Sequence, residues 1–200
     1  IIILKRLVDI ILSTIGIIIL FPVFVPVIFL VWVQDFQNPF YVAPRVGKGN
    51  ILFSMVKIRS MIINADKSGV DSTSSNDKRI TSIGKFIRKV KLDELSQLIN
   101  VFLGQMSLVG PRPNVKNETD MYTNIERKLL TVKPGITDFS SIIFSDEGDI
   151  LKDSIDPDLD YNQLIRPWKS KLGLFYINNK SIYLDLYLIF MTIYSIFNRK

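Results

Sequence analysis

The sequence predicts a helix-dominated α+β protein fastened to a membrane. Three observations carry this. The run IILSTIGIIILFPVFVPVIFLVWV, residues 10–33, contains no charge. Two β-prone segments, FYVAPRVG and ILFSMVKIR, flank GKGN. From Ile83 onward, apolar residues recur at helical spacing. The 200 residues amount to one domain with an appendage, divided at 36/37 into an anchor and a domain that work as one unit.

Taken in order, the uncharged run forms a helix of about 36 Å at about 1.5 Å per residue, enough for a bilayer core of about 30 Å. It is too long for a signal peptide, and no small-x-small cleavage site follows it. Pro22 and Pro26 favour a kink or break inside it. Lys5 and Arg6 precede it and Arg45 and Lys48 follow, so positive charge gives no clear orientation. The residues alone leave two arrangements open: a kinked transmembrane anchor, or a broken helix that enters and returns to the same face.

Segments 40–47 and 51–59 form a hairpin around GKGN. The stretch NADKSGVDSTSSNDK, residues 64–78, is a polar loop. Phe86, Ile87, Val90, Leu95, Leu98, Ile99 and Phe102 then mark the apolar face of one long helix, stopped by Gly104. MSLVGPRPNV is a rigid turn with Arg112 between two prolines. A shorter helix covers Val115 to Leu130, and residues 145–162 are irregular and acidic. The terminal SIYLDLYLIFMTIYSIFNRK is an apolar helix, short for a span, that lies on a core or in the membrane interface. Asp185 is its only acid, and Arg199 and Lys200 form its tip.

Composition narrows the chemistry. The chain has no His and no Cys, which excludes imidazole bases, thiol nucleophiles and the usual zinc sites. Carboxylates, Lys, Arg, hydroxyls and an oxygen-seeking cation such as Mg2+ remain. The net charge of +6 suits polyanionic partners: nucleic acid, anionic lipid or phosphorylated substrates.

Within KLDELSQLIN, Asp93 and Glu94 open a helical segment. Acidic residues there are ordinary, because they meet unpaired N–H groups and the positive end of the helix dipole. The same field would lower the Asp93 pKa and keep it ionised, as a carboxylate nucleophile requires. Basic groups surround the pair in sequence: Lys57 and Arg59, then Arg79, Lys85, Arg88, Lys89 and Lys91, then Arg112. Each reads singly as a solvated basic face. Arg112 is the exception, since a guanidinium framed by prolines suits bidentate phosphate binding at low entropic cost. DPDLDYN, residues 156–162, lacks the Gly and Glu of a calcium loop, and GKGN matches neither a P-loop nor a dinucleotide fingerprint.

The string RITSIGKFIRKVKLDELSQLINVFLGQMSLVGPRP, residues 79–113, resembles the signature block of the bacterial sugar transferases, the monotopic phosphoglycosyl transferases. LKRLVDI, RVG, KIRSM, VKPGIT and the terminal Tyr…Ser…Asp helix extend the likeness over almost the whole chain. The resemblance implies transfer of a sugar-1-phosphate from a UDP-sugar to undecaprenyl phosphate, with release of UMP, at the start of a surface glycan such as O-antigen (lipopolysaccharide) or capsule. Asp93 would attack the sugar-bearing phosphate to form an aspartyl-phosphosugar. Glu94 would help hold Mg2+, together with Asp93, or assist proton transfer from the lipid phosphate. Arg112, Arg88, Lys57 and Arg59 would bind phosphate.

The resemblance also implies a monotopic protein with a broken re-entrant helix, a small hairpin and interfacial amphipathic helices. Its catalytic domain would face the cytoplasm at the bacterial inner membrane. It leaves no role for nucleic acid and allows a homodimer. Three departures stand out. Ser96 replaces a common Pro, and DFSSIIFSDEG replaces a Gly-Leu-Ala-Gln-like string after PGIT. IRPWKSKLGLFY belongs to a subgroup. The extra transmembrane bundle of longer relatives is not expected. Two rivals are a non-catalytic membrane-anchored protein that binds nucleotide or lipid phosphate, and an enzyme that transfers directly without a covalent intermediate.

Overall fold

The computed structural model of the chain describes residues 2–68 and 73–197. Part of the expected polar loop, residues 69–72, and the tip residues Arg199 and Lys200 lie outside the described residues. The architecture is α+β and helix-dominated, with a long apolar N-terminal helix and a small antiparallel hairpin.

Helix α1 runs Ile2–Val33 with both prolines inside it, so the break expected at Pro22 and Pro26 does not end the helix. Each proline removes one N–H and crowds a carbonyl one turn back. Because the two are four residues apart, both losses fall on one side and the flanking turns carry the helix through. By length and composition Ile3–Val33 could cross a membrane. Yet one stripe is packed from end to end. Asp9 and Ser13 are buried near its start and Val27 and Val31 near its end. Between them, a Cβ on Gly16 would come within 3.0 Å of Leu98. The remaining faces expose Ile11, Ile15, Ile18, Phe21, Val25 and Phe29.

The start of α1 is a polar clamp, which revises the reading of Lys5 and Arg6 as charges flanking a span. Lys5 Nζ donates to Asp185 Oδ2 at 2.6 Å and to the Val109 carbonyl at 3.1 Å. Arg6 donates to the carbonyls of Val101 and Phe102 at 2.6 and 2.7 Å. Those carbonyls sit at the C-terminal end of the helical turn 98–102, where the Val101 carbonyl also accepts from the Gly104 N–H at 2.9 Å. Asp9 Oδ1 accepts from Ser107 Oγ and the Leu108 N–H at 3.0 and 2.9 Å.

The hairpin forms as expected: β1 (Phe40–Val46) pairs antiparallel with β2 (Leu52–Ile58), with Tyr41 opposite Lys57. Gly49 takes φ +70° in the connection, a conformation glycine adopts at no steric cost. The long helix expected after Ile83 is instead three: α2 (Ser82–Lys89), α3 (Leu92–Leu95) and α4 (Leu98–Phe102). Lys91, at φ +58°, turns the chain between the first two. The apolar residues serve two clusters, and a straight helix could not reach both. Ile87 and Leu92 join Val27, Val31 and Ile58, whereas Val101 joins Met55 and Met106. Gly84 seats α2 on the end of β2; a Cβ there would lie 1.8 Å from the Ser60 carbonyl.

The segment read as a rigid turn contains β3 (Ser107–Val109), paired in parallel with β4 (Gly135–Thr137). Strands of three residues are too short to display a period. Their glycines interlock, since a Cβ on Gly135 would fall 2.1 Å from the Gly110 nitrogen. The single helix expected over Val115–Leu130 is split into α5 (Lys116–Asp120) and a 3-10 helix, Glu126–Thr131. Helix α6 (Phe139–Ile143) follows β4, and the acidic stretch 145–162, thought irregular, contains two short helices, α7 (Glu147–Ile150) and α8 (Pro157–Asp160). Asp156 of DPDLDYN caps α8, its Oδ1 accepting from the Leu159 N–H at 3.0 Å. A π-helical turn, Tyr161–Ile165, leads into α9 (Arg166–Asn179), and α10 (Ile182–Phe197) closes the described chain. Helix α10 buries Asp185 and Leu188 and exposes Tyr183, Tyr187 and Phe190.

Replacing Lys5 by Met removes the donor to Asp185 Oδ2 and to the Val109 carbonyl, and leaves the buried Asp185 anion with the 2.6 Å hydrogen bond that Tyr176 Oη gives its Oδ1. A loss of about 2–3 kcal/mol is expected. The double variant Lys5→Met/Asp185→Leu should lose less than the two single changes combined, because an apolar pair replaces an ion pair. Melting in detergent checks both.

Candidate active site

One cleft of about 500 Å³ is lined by Lys57, Arg59, Arg88, Asp93, Glu94 and Arg112. All six expected site residues therefore come together, in a volume typical of small-molecule sites. Five structural units deliver them. Lys57 lies on β2 beside Met55, Arg59 just beyond that strand, Arg88 in the last turn of α2, the carboxylates on α3, and Arg112 after β3.

Asp93 is 7 % exposed, and its Oδ1 is buried without a hydrogen-bond partner. Ser96, read as a first-turn residue in place of Pro, stands at the C-terminal end of α3. Its Oγ donates to the Asp93 carbonyl at 2.8 Å and lies 3.1 Å from the Val56 carbonyl, fastening α3 to β2. Asn100 fastens α4 likewise, accepting from the Val56 N–H at 3.0 Å and donating to the Ser54 carbonyl at 2.7 Å.

The electrostatics reverse one expectation. Asp93 was expected to have a lowered pKa at a helix start. Helix α3 has four residues and no side-chain cap, so little dipole is available. Burial instead pushes the Asp93 carboxyl above its ordinary value. Lys57, Arg88 and Lys91 oppose that rise, and Glu94 adds to it. Glu94 behaves oppositely: burial would raise it, but Arg112 foremost, then Lys57 and Lys91, hold it well below the carboxylate range. Arg112 Nη2 donates to Glu94 Oε1 at 2.7 Å. Burial pulls Lys57 down from the ordinary lysine value, with Glu94 acting against it. The two adjacent carboxyls thus differ in character, Glu94 favoured as an anion by Arg112 and Asp93 shifted toward its protonated form by burial.

The basic groups do not all serve the cleft equally. Arg59 lines it, but its guanidinium is paired with Asp35, Nη2 donating to Oδ1 at 2.6 Å. This pair ties the exit of α1 to β2 and holds the Asp35 carboxyl at about 2. Arg79 is paired with Asp77 at 2.7 Å. Lys85 is exposed and does not line the cleft, whereas Lys89 and Lys91 do. Sequence reasoning missed Tyr161, Glu147 and Lys169, which complete the wall next to Arg112. The hint for Glu147 and Lys169 was that DFSSIIFSDEG and IRPWKSKLGLFY depart from the family pattern, whereas Tyr161 lies in DPDLDYN, which was read as loop.

The carboxylates suit a hard cation. Asp93 offers an unpartnered buried oxygen beside Glu94. Among the described residues there is no cluster of three or more metal-ligating side chains. Mg2+ accommodates this donor set, because it commonly takes one or two carboxylates and completes its shell with phosphate and water.

A helix long and apolar enough to cross a membrane thus accompanies a basic cleft with two unlike carboxyls. The chain belongs to the bacterial sugar transferase family, whose model matches residues 2–199. It is 34% identical over 212 residues to an uncharacterized sugar transferase of Haemophilus influenzae, covering 98% of this chain and 41% of that protein. It is 32% identical over 197 residues to the UDP-N-acetylgalactosamine-undecaprenyl-phosphate N-acetylgalactosaminephosphotransferase of Aeromonas hydrophila, covering 96% of this chain and 43% of the relative. Against the UDP-glucose:undecaprenyl-phosphate glucose-1-phosphate transferase of Klebsiella pneumoniae, identity is 33% over 200 residues, covering 98% and 40%. The chain thus spans about two fifths of the length of these relatives.

Removing a cation that faces a carboxylate destabilises its anion and raises its pKa. Lys57→Met should therefore move the Asp93 titration further up. Arg112→Met should move Glu94 up from its depressed position while affecting Asp93 less. Carboxyl 13C shifts followed against pH distinguish the two.

Proposed function

We propose that this chain is a phosphoglycosyl transferase that moves a sugar-1-phosphate from a UDP-sugar to undecaprenyl phosphate through an enzyme-bound aspartyl-phosphosugar. The observation that carries this reading is the unpartnered, buried Asp93 carboxylate facing a cleft of cations. The names of the relatives from Aeromonas and Klebsiella supply the acceptor and the donor class.

In the first half-reaction a carboxylate oxygen of Asp93 attacks the sugar-bearing phosphorus. The P–O bond to the uridine-linked phosphate breaks, and UMP leaves with the electron pair. Burial raises the energy of the Asp93 anion, which favours attack once Lys57, Arg88 and Lys91 have kept enough of it ionised. Arg112, preset by Glu94 and its proline frame, binds the phosphoryl oxygens. In the second half-reaction an oxygen of undecaprenyl phosphate attacks the same phosphorus and the Asp93 carboxylate departs. Glu94, held ionised, keeps the Arg112 guanidinium in place through both half-reactions. When bound by Asp93 and Glu94, Mg2+ offsets charge growing on the phosphoryl oxygens.

The membrane arrangement supported best is a dip into one leaflet face. Helix α1 is packed from Lys5 to Val31 against β3, α4, β2 and α2. Were it to cross the bilayer upright, these elements and their polar groups would have to enter hydrocarbon with it, at several kcal/mol for each unsatisfied group. Lying or dipping, it brings the cleft to a lipid phosphate at the interface. The cleft would face the cytoplasm, where UDP-sugars are made. The reading does not require a second copy of the chain.

Asp93→Asn is expected to lower UMP release by at least about a thousandfold, and labelled sugar-phosphate should accumulate on the wild-type protein without lipid acceptor. Intact transfer by Asp93→Asn would leave a non-nucleophilic role. Full activity with no trapped adduct would favour direct attack by the lipid. For the membrane arrangement, single cysteines at the exposed positions Leu4 and Phe36 should both react with an impermeant maleimide in inverted vesicles and neither in intact cells. Opposite labelling of the two would mean a spanning helix.

A further inference from the structure

Besides Glu94, to which its Nη2 donates at 2.7 Å, Arg112 has Glu147 as an acidic neighbour and the neutral Tyr161 phenol close by. Around Asp93 the charged neighbours are Lys57, Glu94, Arg88 and Lys91. The cleft is therefore cationic around the carboxylates and changes character past Arg112. There Lys169 of α9 is ion-paired with Glu147 of α7, and its Nζ also stands 5.0 Å over the Tyr161 ring. Lys169 is 13 % exposed and Glu147 31 %, so the pair is held largely out of water, with Arg112 also close to Glu147 and Asp138 close to Lys169. Next to them, Ser140 and Ser141 line the cleft, their hydroxyls donating to Asp138 Oδ1 at 2.7 and 2.9 Å. This wall carries hydrogen-bonding groups and an aromatic ring, with Glu147 and Lys169 paired in place.

A nucleotide sugar has the complementary division. Its phosphates are anionic, and its sugar is a hydroxylated ring. Resting on the phosphoglycosyl reading above, we propose that the Glu147–Lys169 pair, with Tyr161 and the Ser140–Ser141 corner, forms the sugar-facing wall. The pair restricts the donor to rings without formal charge. A uronate carboxylate would meet Glu147 and would have to draw Lys169 away from it. A free ammonium on the ring would meet Lys169 and have the opposite difficulty. Neutral hexoses and N-acetylated hexosamines meet neither problem, because they exchange hydrogen bonds with both members without breaking the pair. The selecting element lies in the two segments where this chain departs from the family pattern, 138–148 and 165–176.

The test compares UMP release from three matched donors, UDP-glucose, UDP-glucuronate and UDP-glucosamine, with undecaprenyl phosphate as acceptor. Wild type should favour UDP-glucose over UDP-glucuronate by at least about a hundredfold in kcat/KM. Glu147→Gln leaves Lys169 uncompensated and should cut that preference about tenfold, while further disfavouring UDP-glucosamine. Lys169→Met leaves Glu147 uncompensated and should shift both ratios the other way. Lys169→Arg, which preserves the pair, should return both ratios to wild type. Should Glu147→Gln fail to fold, the opposite displacement in Lys169→Met decides alone. Ratios that stay at the wild-type value in the charge variants overturn the proposal, as does wild-type turnover of UDP-glucuronate equal to UDP-glucose. Absence of UMP release from every donor would instead overturn the reaction reading on which it rests.

Discussion

The structure hangs on the polar start of α1. Asp9, 4 % exposed, accepts from the side chain and backbone of β3, and Lys5 reaches the Val109 carbonyl and Asp185 of α10. A buried carboxylate and a half-buried ammonium are tolerated only when their hydrogen bonds are made, and leaving one unmade costs kilocalories. The clamp therefore fixes where the apolar helix begins against the domain. It also holds the end of β3, three residues ahead of Arg112. The apolar helix and the strand that leads to Arg112 are set by one group of contacts.

From that fixed point the site is built by short elements under steric constraint. Gly110 and Gly135 cross so closely that neither tolerates a side chain, and Gly84 meets Ser60 in the same way. Ser96 and Asn100 cover the edge of β2 that β1 leaves open. Such edges otherwise present unpaired backbone groups. Because β2 also carries Lys57, the same contacts that close the edge align a lysine with the carboxylates. Each carboxyl then takes its character from its surroundings: Glu94 from Arg112, Asp93 from burial.

Much of this was legible beforehand, and the errors share a cause. The hairpin and the apolar helix follow from composition and turn chemistry, both local properties, and the six residues that the family resemblance singled out line one cleft. The single helix drawn from Ile83 to Phe102 was wrong because its apolar spacing serves two clusters, and Lys91 turns the chain between them. Spacing reports that residues are buried, not against what. Lys5 and Arg6 were read as topological charges because nothing local shows a partner almost a hundred residues or more away. Strands β3 and β4 were invisible because three residues carry no period.

The chemistry divides along the same line. The sequence by itself determined the reagents: no imidazole, no thiol, two adjacent carboxylates, a proline-framed arginine and an apolar helix. These depend on residue type and neighbours in the chain. Only the tertiary structure decided how the reagents are tuned. It buried Asp93 without a partner, spent Arg59 on Asp35, and brought Glu147 and Lys169 to the wall beside Arg112. Ionisation and pairing depend on which groups lie within a few ångströms and how much water reaches them, and those distances exist only once the chain has folded.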